Sequence, residues 1–318
     1  MKNESTPARL SLSRTAASCL VLLAWLTVSA RAATPAVAPQ AFDTPQQAAD
    51  ALVKAAEADD AKALLKIFGS AGKYIVSSGD PVDDKKNRAK FAAKAHEKMN
   101  VSFDVADPKL AVLVIGADDW PMPVPIVEKG GKWRFDAKQG REEILARRIG
   151  ANELDAIAFL RGYVDAQHEY ASEAHDGSGM LQYAQKSIST PGKHDGLSWW
   201  NADHTPGGPI GDEIAKALAA GYTKKSEPYN GYYFRILTAQ GPAARLGARN
   251  YIVNGMMIGG FAMVAWPTKY GVTGVQTFEV NHDGVVYQKD LGPNTSKIGP
   301  TIKTYNPDKT WTVTEDAK

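Results

Sequence analysis

The chain holds a single cysteine, Cys19, and it stands at the head of an N-terminal apolar run. No internal disulfide can staple such a fold, so a buried apolar core must hold it. Hydrophobic residues supply 44% of the sequence and charged residues 23%, which suits a core and does not suit disorder. The same stretch speaks to the compartment. Lys2, Arg9 and Arg14 precede the run Cys19–Val28, and Ala30-Arg31-Ala32 places small residues where a signal peptidase reads. The run is too short to anchor in a hydrocarbon layer about 30 Å thick. Residues 1–32 are therefore expected to be a cleavable secretory signal, and the protein to be exported, periplasmic or secreted. Cys19 opens the run instead of following it, so lipidation is not expected and the thiol leaves with the signal.

The charge balance excludes one partner class. The whole chain is +2, but Lys2, Arg9, Arg14 and Arg31 against Glu4 make residues 1–32 +3, leaving about −1 for the rest. The basic excess belongs to the targeting segment, so no nucleic-acid partner is expected. Beyond residue 32 nothing approaches about 18 consecutive apolar residues, so no transmembrane segment is expected after signal removal.

Residues 33–42 (ATPAVAPQAF) read as an Ala/Pro linker. Thr44-Pro45-Gln46-Gln47 then combines an N-cap, a proline at the first helical position and a glutamine at the third. The helix behind it aligns Ala48, Leu52, Ala55 and Ala56. A second helix is expected to open at Asp59 or Asp60, bury Leu64, Leu65, Ile67 and Phe68, and stop at Gly69. Tyr74-Ile75-Val76 reads as a short strand and 86–99 as a helix. From Val101 the pattern is β, with a Gly turn at 128–132 joining two strands. Pro121, Pro123 and Pro125 suggest an edge strand. A helix is expected to run to Ile149 and end at Gly150. Asn152 then caps a longer one with an apolar stripe of Leu154, Ile157, Leu160, Tyr163 and Val164. Residues 174–212 form a long loop that contains Trp199 and Trp200, and linkers do not spend tryptophans. The last hundred residues read as an antiparallel sheet, closing with a hairpin at Asn281-His282-Asp283-Gly284. The class is α+β: N-terminal helices with a small curved antiparallel sheet over 43–150, then a long helix with a C-terminal antiparallel sheet over 151–318.

The runs Tyr163–Tyr170 (YVDAQHEY), Pro191–Leu197 (PGKHDGL) and Gly231–Arg235 (GYYFR) resemble an uncharacterised exported bacterial family, domain of unknown function 2950. So do Trp266–Gly271 (WPTKYG) and Asp283–Tyr287 (DGVVY), which extends the likeness over nearly all of the mature chain. The resemblance implies an envelope or secreted location and no assigned activity. In plan, the second half, with a helix ending Ala166-Gln167-x-x-Tyr170-Ala171, an irregular loop, and a sheet with Gly231-Tyr232-x-Phe234 and a final Asp283-Gly284 hairpin, is similar to the globular part of type IV pilin-like proteins. It lacks their hydrophobic helix before Asn152, so assembly into a pilus is not implied. The first half resembles nuclear-transport-factor-2-like domains, with helices first and a curved sheet ending in Trp133-x-Phe135-Asp136. That fold assigns no chemistry.

Candidate chemistry concentrates at 194–213: His194, Asp195, Trp199, Trp200, Asp203, His204, Asp212 and Glu213. Two imidazoles with carboxylates can bind a divalent metal, but the spacing matches no ligand pattern, and Asp in Gly-rich loops caps turns. No metal site and no cofactor are therefore assigned. One of the paired tryptophans is expected to bury against the sheet, and the other to stand out as a platform for a sugar ring, a peptide or a protein. No Gly-x-Ser-x-Gly elbow is present, and Gly207-Gly208-Pro209-Ile210-Gly211 lacks the Lys-Ser/Thr of a phosphate loop. No catalytic residue is assigned. The expected function is an envelope protein acting by binding, an accessory factor whose partner is another envelope protein or a saccharide. The alternative is a cell-wall or saccharide hydrolase using the 194–213 loop.

Overall fold

The computed structural model describes residues 37–315 apart from 78, 176, 178, 212–213 and 216–228. The expected signal, residues 1–32, lies outside the described residues, as do Asp212, Glu213 and most of 212–220, where the sequence also suggests a short helix.

The chain is α+β. Helix α1 (Pro45–Glu57) opens as expected, with the Thr44 hydroxyl accepting from the Gln47 backbone N–H at 3.1 Å. Helix α2 (Ala61–Phe68) is capped by Asp60, which accepts from Lys62 and Ala63. It buries Leu64, Ile67 and Phe68 but leaves Leu65 exposed. Tyr74-Ile75-Val76 is not a strand. These residues close a one-turn helix, α3 (Lys73–Val76), because the Tyr74 hydroxyl is drawn to the Ala137 carbonyl and Val76 turns into the helical layer. Helix α4 (Pro81–Glu97) follows.

An antiparallel sheet comes next, in the order β1 (Met99–Phe103), β2 (Leu110–Ile115), β4 (Ile126–Lys129), β5 (Lys132–Phe135). The proline-rich strand is only a stub, β3 (Trp120–Pro121), paired to β2. The β4–β5 hairpin turns on Gly130 and Gly131, both at positive φ (63° and 70°), which a two-residue turn of this hand requires. Phe42, placed in the linker by sequence, belongs to the fold instead. It exchanges backbone hydrogen bonds with Trp133 at 2.9 Å, extending the β5 edge, and its ring joins the core.

Helix α5 (Ala137–Tyr170) is continuous over 34 residues. Residue 150, where the sequence suggests a stop, lies inside it. A helical glycine costs only about 1 kcal/mol, and the neighbours are pinned. Asn152 donates to the Thr273 carbonyl at 2.8 Å, and Glu153 accepts from the Val275 and Gln276 N–H groups. Asn152 thus ties the helix to a distant loop and caps nothing. Leu154 points away from the stripe and is exposed, whereas Ile157, Leu160, Tyr163 and Val164 are buried.

After a long irregular segment carrying β6 (Trp199–Trp200) and β7 (Pro206–Gly207), the chain forms β8 (Tyr232–Leu237). Short pieces follow: β9 (Ala239–Gln240), β10 (Arg249–Asn250), β11 (Ile252–Val253) and β12 (Met256–Met257). The main C-terminal sheet has the order β16-β15-β14-β13-β8, with β13 at Ala262–Pro267, β14 at Gln276–Asn281, β15 at Tyr287–Asp290 and β16 at Thr312–Val313. Register places Phe234, Ala265 and Phe278 side by side, and Ile236, Met263 and Val280 likewise. This face packs on Leu160, Tyr163 and Val164 of α5. The opposite face carries Arg235, Val264 and Glu279 and is crossed by residues 299–306. There Arg235 donates to the Pro300 carbonyl and Asn306 N–H to Glu279. The two faces of this sheet are thus covered by different parts of the chain, and a second apolar cluster lies under α1, α2 and the β1–β5 sheet.

Candidate functional site

The loop after α5 is ordered by the helix that precedes it. Gln167 is wholly buried, and its amide copies a strand partner. Nε2 donates to the Ala184 carbonyl at 2.9 Å, and Oε1 accepts from Ala184 N–H at 2.8 Å. One turn on, the Tyr170 hydroxyl donates to the His194 carbonyl at 2.7 Å. Leu197 enters the core between these anchors. Gly196 lies so close to the Ile188–Ser189 backbone that a Cβ there would stand 2.7 Å from Ser189 N, which is why a glycine interrupts this run.

Among the described residues of the loop, Asp195 and Asp203 each serve a turn. Asp195 accepts from Thr190 N–H at 2.7 Å, from the Thr190 hydroxyl at 2.8 Å and from Lys186 Nζ at 2.7 Å. Burial alone raises its pKa, but the Lys186 ammonium and the two Thr190 donors outweigh it and hold the carboxyl at about 2. Asp203 accepts the Thr205 hydroxyl at 2.6 Å and Thr205 N–H at 3.0 Å, bonds that lower its pKa. His204 is exposed at the same turn, in the left-handed region at φ 62°.

The Asp195 cluster predicts a pH dependence. A carboxyl held below its ordinary value stabilises the fold above about pH 4, and that contribution is lost as pH falls toward 2. Because the side chain is 30% exposed, Asp195→Asn is expected to cost only about 1 kcal/mol at pH 7. Thermal midpoints of both proteins at pH 7, 5 and 3 should converge at the acid end.

The aromatic residues are arranged in order. Residues 199–200 and 206–207 form the β6–β7 hairpin, Trp199 opposite Gly207 and Trp200 opposite Pro206. Asn201 ties the turn by accepting from Trp199 Nε1 at 3.2 Å and donating to the Thr205 hydroxyl at 3.1 Å. Trp199 is half-buried against the core, and His194 stacks on it at 4.5 Å between ring centres and 18° between planes. His175 leans on the same indole at 5.3 Å and stacks on Tyr170 at 4.2 Å. Its Nε2 lies 2.9 Å from the Tyr170 carbonyl, where it caps the C-terminus of α5. Trp200 points the other way and is 58% exposed. A cleft of about 410 Å³ runs between His175 and the segment Gly192–Asp195.

Of the eight residues singled out by sequence, Asp212 and Glu213 lie outside the described residues; His194, Asp195 and Trp199 come together beside this cleft, and Trp200 stands on the back of the hairpin. Asp203 and His204 share no hydrogen bond with them. Neither His194 nor His204 hydrogen-bonds a carboxylate among the described residues, and no three of His, Cys, Asp or Glu converge there on one point. Sequence reasoning missed Gln167 and Tyr170 as the loop's anchors and His175 as part of the cleft. The spacing of Gln167 and Tyr170 puts both on the loop-facing side of α5, which is the signal that was available.

A family model, protein of unknown function (DUF2950), matches residues 39–314. The chain belongs to this family. The match takes in both apolar clusters, the whole of α5 and the β6–β7 hairpin. Searches of curated proteins and of solved structures returned no match. Among the described residues no helix is long and apolar enough to cross a membrane.

Proposed function

We propose that this member of the family is exported and works in the cell envelope as a non-catalytic binding or accessory protein, with the β6–β7 hairpin as its contact surface. One observation carries the reading. Among the described residues of the loop, the carboxylates of Asp195 and Asp203 are consumed by turns and an ion pair, while a large aromatic side chain, Trp200, is held out to solvent on the same hairpin. Exposed Trp on a braced hairpin is the residue type that dominates interface energetics. Export rests on the basic, apolar and small-residue pattern of residues 1–32. The reading also takes in two parts, 43–150 resembling nuclear-transport-factor-2-like domains and 151–318 resembling pilin-like globular domains, which share the continuous helix α5.

The test is capture in the native envelope, with a photo-reactive residue at Lys193 and mass spectrometry of what attaches. Trp200→Ala is expected to reduce capture of the partner at least tenfold while leaving the thermal midpoint within about 1 °C, as an exposed site allows. The combined variant Asp195→Ala, Asp203→Ala, His204→Ala separates the classes. A binding protein retains most of its capture, whereas a hydrolase acting through this loop loses turnover of cell-wall material altogether.

A further inference from the structure

The N-terminal apolar cluster is not filled. Between α1, α2, α3 and α4 lies a cavity of about 250 Å³. Its inner wall is Leu52, Leu64 and Phe68, side chains 3–4% exposed that have no polar atom to offer. Protein interiors pack about as densely as organic crystals, and the few larger voids that persist in an apolar wall hold water poorly because water finds no partners there. Such a space favours an apolar guest.

The rim differs from the wall. It is formed from α4 by Asp84, Asn87 and Arg88. Arg88 is braced from two sides, Nε to Asp59 at 2.6 Å and Nη1 to the Val76 carbonyl at 3.1 Å. A guanidinium has five N–H donors, and Nη2 meets no acceptor among the described residues. The positive charge is already matched by Asp59, and Asp84 adds a negative one beside it. A fixed, charge-compensated donor next to a carboxylate and an amide suits a neutral acceptor and repels an anion.

We propose that this cavity is a binding site for a small neutral amphipathic molecule, its apolar body against Leu52, Leu64 and Phe68 and a hydroxyl or carbonyl head at Arg88 and Asn87. The site is independent of the β6–β7 hairpin and does not rest on the function proposed for it. The guest is roughly the size of an eight-carbon alcohol.

The experiment is an NMR titration of the full mature chain with 1-octanol, and in parallel with octanoate at pH 7. Saturable one-site shifts at α1, α2 and α4 are expected, with 1-octanol at least tenfold tighter than octanoate. Ala56→Leu adds atoms to the cavity from the α1 wall. It is expected to weaken 1-octanol at least tenfold without lowering the thermal midpoint. Ile75→Trp narrows the rim while keeping the inner wall native, and it is expected to do the same if Ala56→Leu does not fold. Shifts that fail to saturate, or binding that survives both variants, would overturn the site. Octanoate binding as tightly as octanol would overturn the neutral head.

Discussion

Replacing Gln167 by leucine is expected to cost about 2–6 kcal/mol, the sum of two buried backbone groups left without partners at about 1–3 kcal/mol each. Leucine has nearly the volume of glutamine, so packing is kept and only the hydrogen bonds are lost. The groups concerned are the N–H and C=O of Ala184, both of which pair with the Gln167 amide. Ala184 is itself buried in the larger cluster, so water cannot replace the amide. The loss is also expected to be local before it is global. Residues 180–200 hang on α5 through Gln167 and Tyr170, and releasing one of the two should raise amide exchange and proteolytic nicking there well below the unfolding midpoint. Denaturant midpoints with an unchanged m-value give the global cost, and hydrogen exchange at Leu197 and Ser198 gives the local one. A variant with wild-type midpoint and wild-type exchange at these amides would mean that the loop is held from elsewhere.

Glu279 is expected to behave in the opposite sense: Glu279→Gln should stabilise the protein at pH 8, by up to about 3 kcal/mol. The side chain is 2% exposed, between Val264 and Tyr287 on the face of the sheet crossed by residues 299–306. Its Oε2 accepts from Asn306 N–H at 3.0 Å. Burial pushes its pKa up to about 7, against the smaller pull of that N–H and of Lys289, while Asp308 adds to the rise. Between the unfolded value near 4.5 and the folded value near 7, the native state holds a proton that the unfolded chain has released. Stability from this group is therefore complete below about pH 4.5 and drains away as pH rises through 7. The amide has no proton to lose, so the difference between variant and wild type should be small at pH 4 and grow steadily to pH 8. Paired denaturation curves across that range check it, and the comparison cancels carboxylates such as Asp195 that titrate the other way. Equal stabilities at pH 8 would mean that Glu279 ionises without cost and finds water or a cation.

The sites where sequence and structure agree are those decided by neighbours in the chain. Thr44 and Asp60 cap because a side-chain oxygen two or three residues from an orphan N–H reaches it in any context. Gly130-Gly131 turns because only glycine takes positive φ twice in succession at no steric cost. The divergence of Trp199 and Trp200 follows from the alternation of side chains along extended chain. Asp195 and Asp203 were legible as turn residues for the same reason.

What failed was decided across large separations. Gly150 reads as a helix end, yet Asn152 and Glu153 bind a loop more than a hundred residues away, and those bonds outweigh a propensity cost of about 1 kcal/mol. Tyr74 reads as β, yet the Ala137 carbonyl claims its hydroxyl. Phe42 reads as linker, yet the β5 edge needs a partner and the core needs a ring. Periodicity and capping alone determine that this chain is α+β, where its first helices begin and which loop carries its tryptophans, because the relevant forces act within one or two turns. Tertiary structure decided that α5 is unbroken, that Gln167 holds the loop, that Glu279 is buried and that His175 joins His194 on one indole. Each of these is a contact whose energy exists only after distant segments have met and excluded water, and no local pattern records it.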